Sequence, residues 1–248
     1  MKESQLAPIG VNDVSWNNPL APTPTLKSLA EDGVILDTAY TLPVCTPSRA
    51  ALLTGIYPYK FGFQVMDSLY TSFLIILIYQ RGFGKNVPEG LPLNLKILPE
   101  YLKDLGYTTH GFGKWHLGFC SEAYTPLKRG FDTFDGLFVG DEADLANESS
   151  GTTERIYEKG WKALYKKKKK SIEEKPQYSK FNSEDYARKT EILLKERTKN
   201  SPFFIYLSLL TKVYPKGQDH NKDIIKERKN KISEMDKAIK KVVILRQN

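Results

Sequence analysis

Apolar and polar positions change period along the chain, and each change predicts an element. Residues 1–24 are polar and proline-studded, which reads as loop. Residues 26–32, opened by Thr23 and Pro24 and stopped by Gly33, read as a short helix. Val34, Ile35 and Leu36 with Ala39 and Tyr40 then predict a strand that delivers Cys45 to a sheet edge. The continuous apolar run 73–79 is too short to cross a bilayer as a helix and suits a buried strand or an inserted segment, with Gly82, Gly84 and Pro88 marking a loop after it. Leu95, Leu98, Leu102 and Leu105 recur at helical spacing, which predicts an amphipathic helix over 95–105 capped by Gly106, with a strand over 107–112 next. Residues 183–195 read as a helix with Ser183 as cap and Tyr186, Ile192 and Leu193 facing inward. Pro202 opens 203–209, the clearest buried strand and a natural member of a parallel sheet. Residues 223–245 form a long charged helix whose stripe of Ile224, Ile225, Ile232, Met235, Ile239, Val242 and Val243 suits a covering role.

Chemistry concentrates at 45–55, Cys-Thr-Pro-Ser-Arg-Ala-Ala-Leu-Leu-Thr-Gly. Pro47 and Ser48 suit a helix start, since proline tolerates the first turn and a short hydroxyl can satisfy free amides. Cys45 therefore sits at or just before a helix N-terminus, where unpaired N–H groups and the dipole favour an anion. Arg49, four residues on, shares its face, and its planar fork suits a tetrahedral oxyanion. Gly55 ends the helix. An ordinary amphipathic helix with a buried free cysteine has the same spacing and stays open as the alternative. Lys114 and His116 follow the strand over 107–112, and alternation puts both on one face if the backbone stays extended, so they could converge with Arg49 on one anion. His110 is assigned to structure.

The totals add bounds. A chain of 248 residues, 40% hydrophobic, can build one substantial α/β domain or two small ones and excludes disorder throughout. The formal charge of +8 admits an acidic partner such as nucleic acid or a sulfated polysaccharide, but much of the excess is local, in the run from Lys166 to Lys170. That run reads as a solvated loop, with a nuclear-targeting or heparin-binding patch as the sharper alternative. The interspersed Tyr157, Trp161 and Tyr165 suit a covered helix face better than a single-strand binding surface, and no nucleic-acid fold signature accompanies them. Two cysteines, Cys45 and Cys120, are too few for a disulfide framework. Asn147-Glu148-Ser149 fits the N-glycosylation pattern, and the first residues contain no apolar stretch of signal-peptide type.

Cys45-x-Pro47-Ser48-Arg49-x-x-x-Leu53-Thr54-Gly55 resembles the signature of the type I sulfatases, and Gly113-Lys114-Trp115-His116-Leu117-Gly118 resembles the second signature of that family. Gly10-x-Asn12-Asp13-Val14, Thr23-Pro24-x-Leu26, Gly106-Tyr107-x-Thr109 and Arg129-Gly130-Phe131-Asp132 are similar to segments of its arylsulfatase B-like members. The likeness is dense over about residues 10–140 and thins afterwards.

That resemblance implies an α/β, alkaline-phosphatase-like fold with a mixed or parallel sheet flanked by helices, here a single partial domain over 1–248, incomplete at both ends. Within it, 1–9 is a divergent start, 64–88 an insertion-like loop and 147–182 a charged loop region. It implies that Cys45, in a motif of Cys45, Pro47, Ser48 and Arg49, is oxidised to formylglycine by a formylglycine-generating enzyme. The hydrated aldehyde is then the nucleophile toward a sulfate ester of a sulfated carbohydrate or aryl sulfate. Arg49 stabilises the hydrate, while Lys114 and His116 bind sulfate oxygens and help move protons.

Calcium is the implied metal, with residue 45 as formylglycine among its ligands. The family's paired metal-binding aspartates would fall at Ala7 and Pro8, and the sulfate-contacting histidine near Val213, between Lys212 and Tyr214, with His220 too far along. The later Asp-Asn pair and active-site lysine are not in the chain. The expectation is therefore a sulfuric ester hydrolase, lysosomal or secreted by family, with no nucleic-acid partner and no membrane span. The alternative is a catalytically inactive sulfatase-like binding protein, or a truncated gene product lacking calcium ligands.

Overall fold

The computed structural model describes residues 11–36, 38–42, 45–61, 90–138, 183–197, 201–209 and 222–244. By its contacts the chain divides into two compact units, one drawn from 1–39, 179–198 and 209–248, the other from 40–178 and 199–208.

The second unit holds a three-stranded parallel sheet, with β1 (Thr108–Lys114) between β2 (Thr133–Leu137) and β3 (Phe203–Ser208). Gly113 stands opposite Gly136 on one side and Ser208 on the other, so the carboxyl ends of all three strands lie along one edge. The six residues of β3 are half-buried, less enclosed than an unbroken apolar run predicts, because among the described strands β3 is an outer one.

Helix α2 (Cys45–Thr54) buries Ala50 and Leu53 in a core shared with Leu91, Ile97, Trp115, Leu117, Phe131, Phe134 and Phe138. It stops at Gly55, which takes φ +70 and returns its N–H to the Ala51 carbonyl, as predicted. The rings of Phe131 and Phe134 meet Trp115 edge-on, at 6.0 and 6.3 Å.

Helix α3 (Leu98–Asp104) is shorter than the stripe 95–105 suggested, and it buries a different face. Ile97 and Pro99 are buried, whereas Leu105 is 72% exposed. The helix begins where the Glu100 carboxylate accepts the Ile97 N–H at 2.7 Å, with Pro99 in its first turn. Arg129, 2% exposed, secures the segment before it by donating to the carbonyls of Leu91 (3.0 Å) and Leu95 (2.6 Å). Burial pulls the Arg129 guanidinium down from its ordinary value, and Glu100, 3.7 Å away, opposes that.

In the first unit, α1 (Pro24–Glu31) matches the predicted helix. The strand expected over Val34, Ile35, Leu36, Ala39 and Tyr40 does not form: those residues are irregular, with Val34 86% exposed, because no described strand offers them a ladder. Helix α4 (Ser183–Glu196) packs on α5 (Lys222–Ile244) through buried Tyr186, Ala187 and Thr190. Ile192, expected to face inward, is exposed; Thr190, whose hydroxyl bonds back to the Tyr186 carbonyl at 2.8 Å, takes the inner position. On α5, Ile232 and Met235 are buried as the stripe predicts, Ala238, outside the stripe, is buried beside them, and Ile239, Val242 and Val243 are half-buried. Arg228 pairs with Asp13, and Lys241 with Glu184 at 2.8 Å.

Candidate active site

The amino end of α2 faces the carboxyl edge of the sheet, the place where parallel α/β sheets bind ligands. Cys45 is the first residue of α2 and is half-buried. The Lys114 side chain, from the last residue of β1, brings its Nζ to 3.3 Å from Cys45 Sγ. Lys114 is only 5% exposed and His116 7%, so both are held by the protein rather than solvated.

Two further contacts join the two stretches. The Thr46 hydroxyl donates to the His116 carbonyl at 3.2 Å, and Arg49 Nη1 donates to the Lys114 carbonyl at 2.7 Å. Thr46 and Arg49 thus grip the backbone at His116 and Lys114. Ser48 has another task than the one predicted: its hydroxyl does not satisfy a helix amide but donates to the Leu42 carbonyl at 2.6 Å, fixing the segment that leads into α2.

The strand ends at Lys114, so simple alternation does not carry His116 onto the face of Lys114. His116 adopts φ +57, the left-handed region that non-glycine residues rarely enter. Its N–H donates to the Phe138 carbonyl at 3.2 Å, and with the Thr46 bond this holds the unusual backbone in place. Trp115 between them is fully buried, and its indole N–H lies 3.1 Å from the carbonyls of both Gly118 and Tyr124. The ring anchors the turn that carries Lys114 and His116.

Arg49 does more than the sequence indicates. The nitrogen that donates to Lys114 also lies 2.8 Å from the Tyr206 hydroxyl and 2.6 Å from the Ser208 hydroxyl. Its Nε is buried with no hydrogen-bond partner among the described residues. Thr46, Tyr206 and Ser208 are members of the site that sequence reasoning missed. Thr46 fell at an unspecified position of the motif, and the two hydroxyls read as ordinary members of an apolar strand.

Asn147, the run 73–79, the lysines 166–170 and residues 212–214 lie outside the described residues. Among the described residues no three His, Cys, Asp or Glu side chains gather where they could hold a metal. Calcium takes about six to eight oxygen ligands, so the described part of the chain does not fit the ion. No described helix is long and apolar enough to cross a membrane.

The family model described as Sulfatase matches residues 2–245. Arylsulfatase J of Mus musculus is 41% identical over 131 residues, which are 53% of this chain and 19% of that protein. N-acetylgalactosamine-6-sulfatase of Homo sapiens is 34% identical over 137 residues, 51% of this chain and 24% of that protein. An uncharacterized sulfatase of Schizosaccharomyces pombe is 32% identical over 209 residues, 84% of this chain and 36% of that protein. The chain therefore spans a minor part of the length of these relatives.

Among solved structures, Ps i-CgsB in complex with k-i-k-neocarrahexaose superposes with a TM-score of 0.68 at 24% identity, over 96% of this chain and 52% of that one. A Bacteroides thetaiotaomicron protein from a locus for glycosaminoglycan metabolism gives 0.58 at 15% identity, over 91% and 50%. At such identities these matches speak for the fold alone, an α/β architecture that the chain shares with them. With a family model running nearly the length of the sequence and both signature stretches meeting at one sheet edge, the chain belongs to the sulfatase family.

Proposed function

We propose that this chain carries the sulfate-gripping part of a sulfuric ester hydrolase of arylsulfatase B-like type, in which Cys45 is converted to formylglycine. The observation that carries the reading is the 3.3 Å approach of Lys114 Nζ to Cys45 Sγ at the carboxyl edge of a parallel sheet. Formylglycine would supply an oxygen nucleophile on carbon where a thiol supplies sulfur. Lys114 places a cation where a sulfate oxygen must lie if its sulfur is to meet residue 45, and it offsets the charge that develops there. His116 is the candidate for proton transfer to the departing alcohol, since imidazole exchanges protons near neutral pH. Arg49 orients Lys114 through its carbonyl, and its Nε is a further donor for an oxyanion.

A sulfated sugar is the substrate class this reading favours, because relatives named N-acetylgalactosamine-6-sulfatase and a neighbour bound to neocarrahexaose handle sugars. The same reading makes Cys45, Pro47, Ser48 and Arg49 the motif met by a formylglycine-generating enzyme, Asn147 a glycosylation acceptor, and the setting lysosomal or secreted. The test is hydrolysis of an aryl sulfate after co-expression with that enzyme. Activity should vanish in Cys45→Ala and fall by about 10²–10³ in kcat in Lys114→Met, the scale for loss of one oxyanion partner.

A second reading, a non-catalytic sulfatase-like binder of sulfated sugars, draws on the lack of any metal-holding group among the described residues. No hydrolysis in the presence of added calcium, with retained affinity for a sulfated sugar, would favour it over the enzyme.

A further inference from the structure

Tyr206 and Ser208 occupy alternate positions of β3, and a strand presents alternate residues on one face. Their hydroxyls lie 2.8 and 2.6 Å from the Arg49 nitrogen that also donates to the Lys114 carbonyl at 2.7 Å. A guanidinium Nη carries two hydrogens, so three acceptors share two donors, and the nitrogen is pinned from three sides. The third side is the peptide of the lysine whose ammonium stands 3.3 Å from Cys45 Sγ.

The β1–β3 register makes this arrangement tight. Gly113 pairs with Ser208, and a Cβ on Gly113 would come within 1.9 Å of the Ser208 carbonyl oxygen. The carboxyl end of β3, the Arg49 guanidinium and the Lys114 peptide are thus one unbroken series of contacts ending at residue 45. The hydroxyls do not reach the thiol themselves; they act on the group that holds the lysine.

We propose that Tyr206 and Ser208 are positioning residues: their hydroxyls keep the Arg49 guanidinium on the Lys114 carbonyl and thereby set the ammonium of Lys114 against residue 45. This rests on the reading of residue 45 as the reacting position, yet it can be measured without turnover. In protein made without the modifying enzyme, residue 45 remains a thiol. An ammonium held against a thiol speeds its alkylation, because the thiolate is the form that reacts.

The experiment follows the rate of iodoacetamide alkylation at neutral pH in a Cys120→Ser background, so that Cys45 alone reports. Lys114→Met sets the floor, expected roughly threefold to tenfold below the parent from loss of the neighbouring charge. The double variant Tyr206→Phe with Ser208→Ala is expected to fall more than halfway to that floor. Ser208→Thr, which keeps a hydroxyl, should hold the parent rate. Tyr206→Phe alone should lie between parent and double variant, and it keeps the question answerable if the double variant folds poorly. Parent-like alkylation in Tyr206→Phe and in the double variant, or in Lys114→Met, overturns the proposal. Failure to hydrolyse any aryl sulfate would instead count against the enzymatic reading and leave this alkylation pattern intact.

Discussion

Gly113 shows how a single residue type admits the site. It takes φ +95, and its α-carbon lies so near β3 that any side chain would drive into the Ser208 carbonyl. Its neighbour Lys114 reaches across to Cys45, and Trp115 is sealed into the core. In this stretch the approach of Lys114 to the cysteine-bearing turn was expected from the resemblance of the motif, whereas the backbone of Gly113 and the burial of Trp115 come from the structure. Tyr206 and Ser208 were not legible, since their role depends on the β1–β3 register and on where Arg49 reaches, and no local pattern encodes either.

His110 is a residue of the other kind, structural as expected. Its Nδ1 lies 2.8 Å from the Thr133 hydroxyl, joining β1 to β2, and burial pushes its pKa below 6.5 against the opposing pull of Asp132. The folded state then binds fewer protons than the unfolded one just below pH 6.5, so stability is complete above that value and declines as pH falls through the lowered pKa. Asp132 adds a separate loss at lower pH. Burial raises its pKa, but Lys103 at 2.5 Å and the N–H of Thr109 at 2.9 Å outweigh that, and the net value lies below 3.8. Its contribution is present above 3.8 and disappears as pH drops through the lowered value. In His110→Asn, whose amide can still meet Thr133, urea midpoints should fall less between pH 7 and 5 than in the parent; parallel curves would contradict the assignment.

At the scale of elements, local signals located helices better than they located faces. The start of α1 was marked by Thr23 and Pro24, yet Thr23 makes no side-chain cap and instead accepts the Ser15 N–H at 2.8 Å. The cap comes from α5: the two carboxylate oxygens of Asp236, nearly fully buried, accept the N–H groups of Thr25 and Leu26 at 3.0 Å each. A partner 211 residues away is invisible to any window of sequence. In α3 the leucine stripe lost to Ile97 and Pro99, because Glu100 fixes the helix start from within it and Arg129 holds the segment before it through the Leu91 and Leu95 carbonyls. Asp236→Ala should destabilise the protein by about 1–3 kcal/mol, the range for losing charged bonds to a helix start. Asp236→Asn, which keeps one oxygen, should lose less. Urea titration measures both, and faster exchange of the Thr25 and Leu26 amides would locate the effect.

For the molecule as a whole, the sulfatase family membership stands beside a described part in which no metal-holding cluster gathers. The sheet edge gathers a cysteine, a lysine, a histidine backbone and an arginine, whereas the residues at the expected paired aspartates are Ala7 and Pro8. A site that held calcium tightly would show itself without any turnover. A ligand present at about a hundred times its dissociation constant stabilises the folded state by about 2.7 kcal/mol. For a chain of this size each kcal/mol moves the melting temperature by about 2–4 °C. A tight site would therefore raise it by about 5–11 °C in excess calcium. The described residues alone supply no cluster able to do this, and with Ala7 and Pro8 standing where the resemblance implies paired aspartates the expected shift is below about 1 °C, with EDTA leaving the melt unchanged. A shift of several degrees, reversed by EDTA, would mean that carboxylates from other residues of the chain complete the ring, and it would count against the second reading, the non-catalytic binder of sulfated sugars.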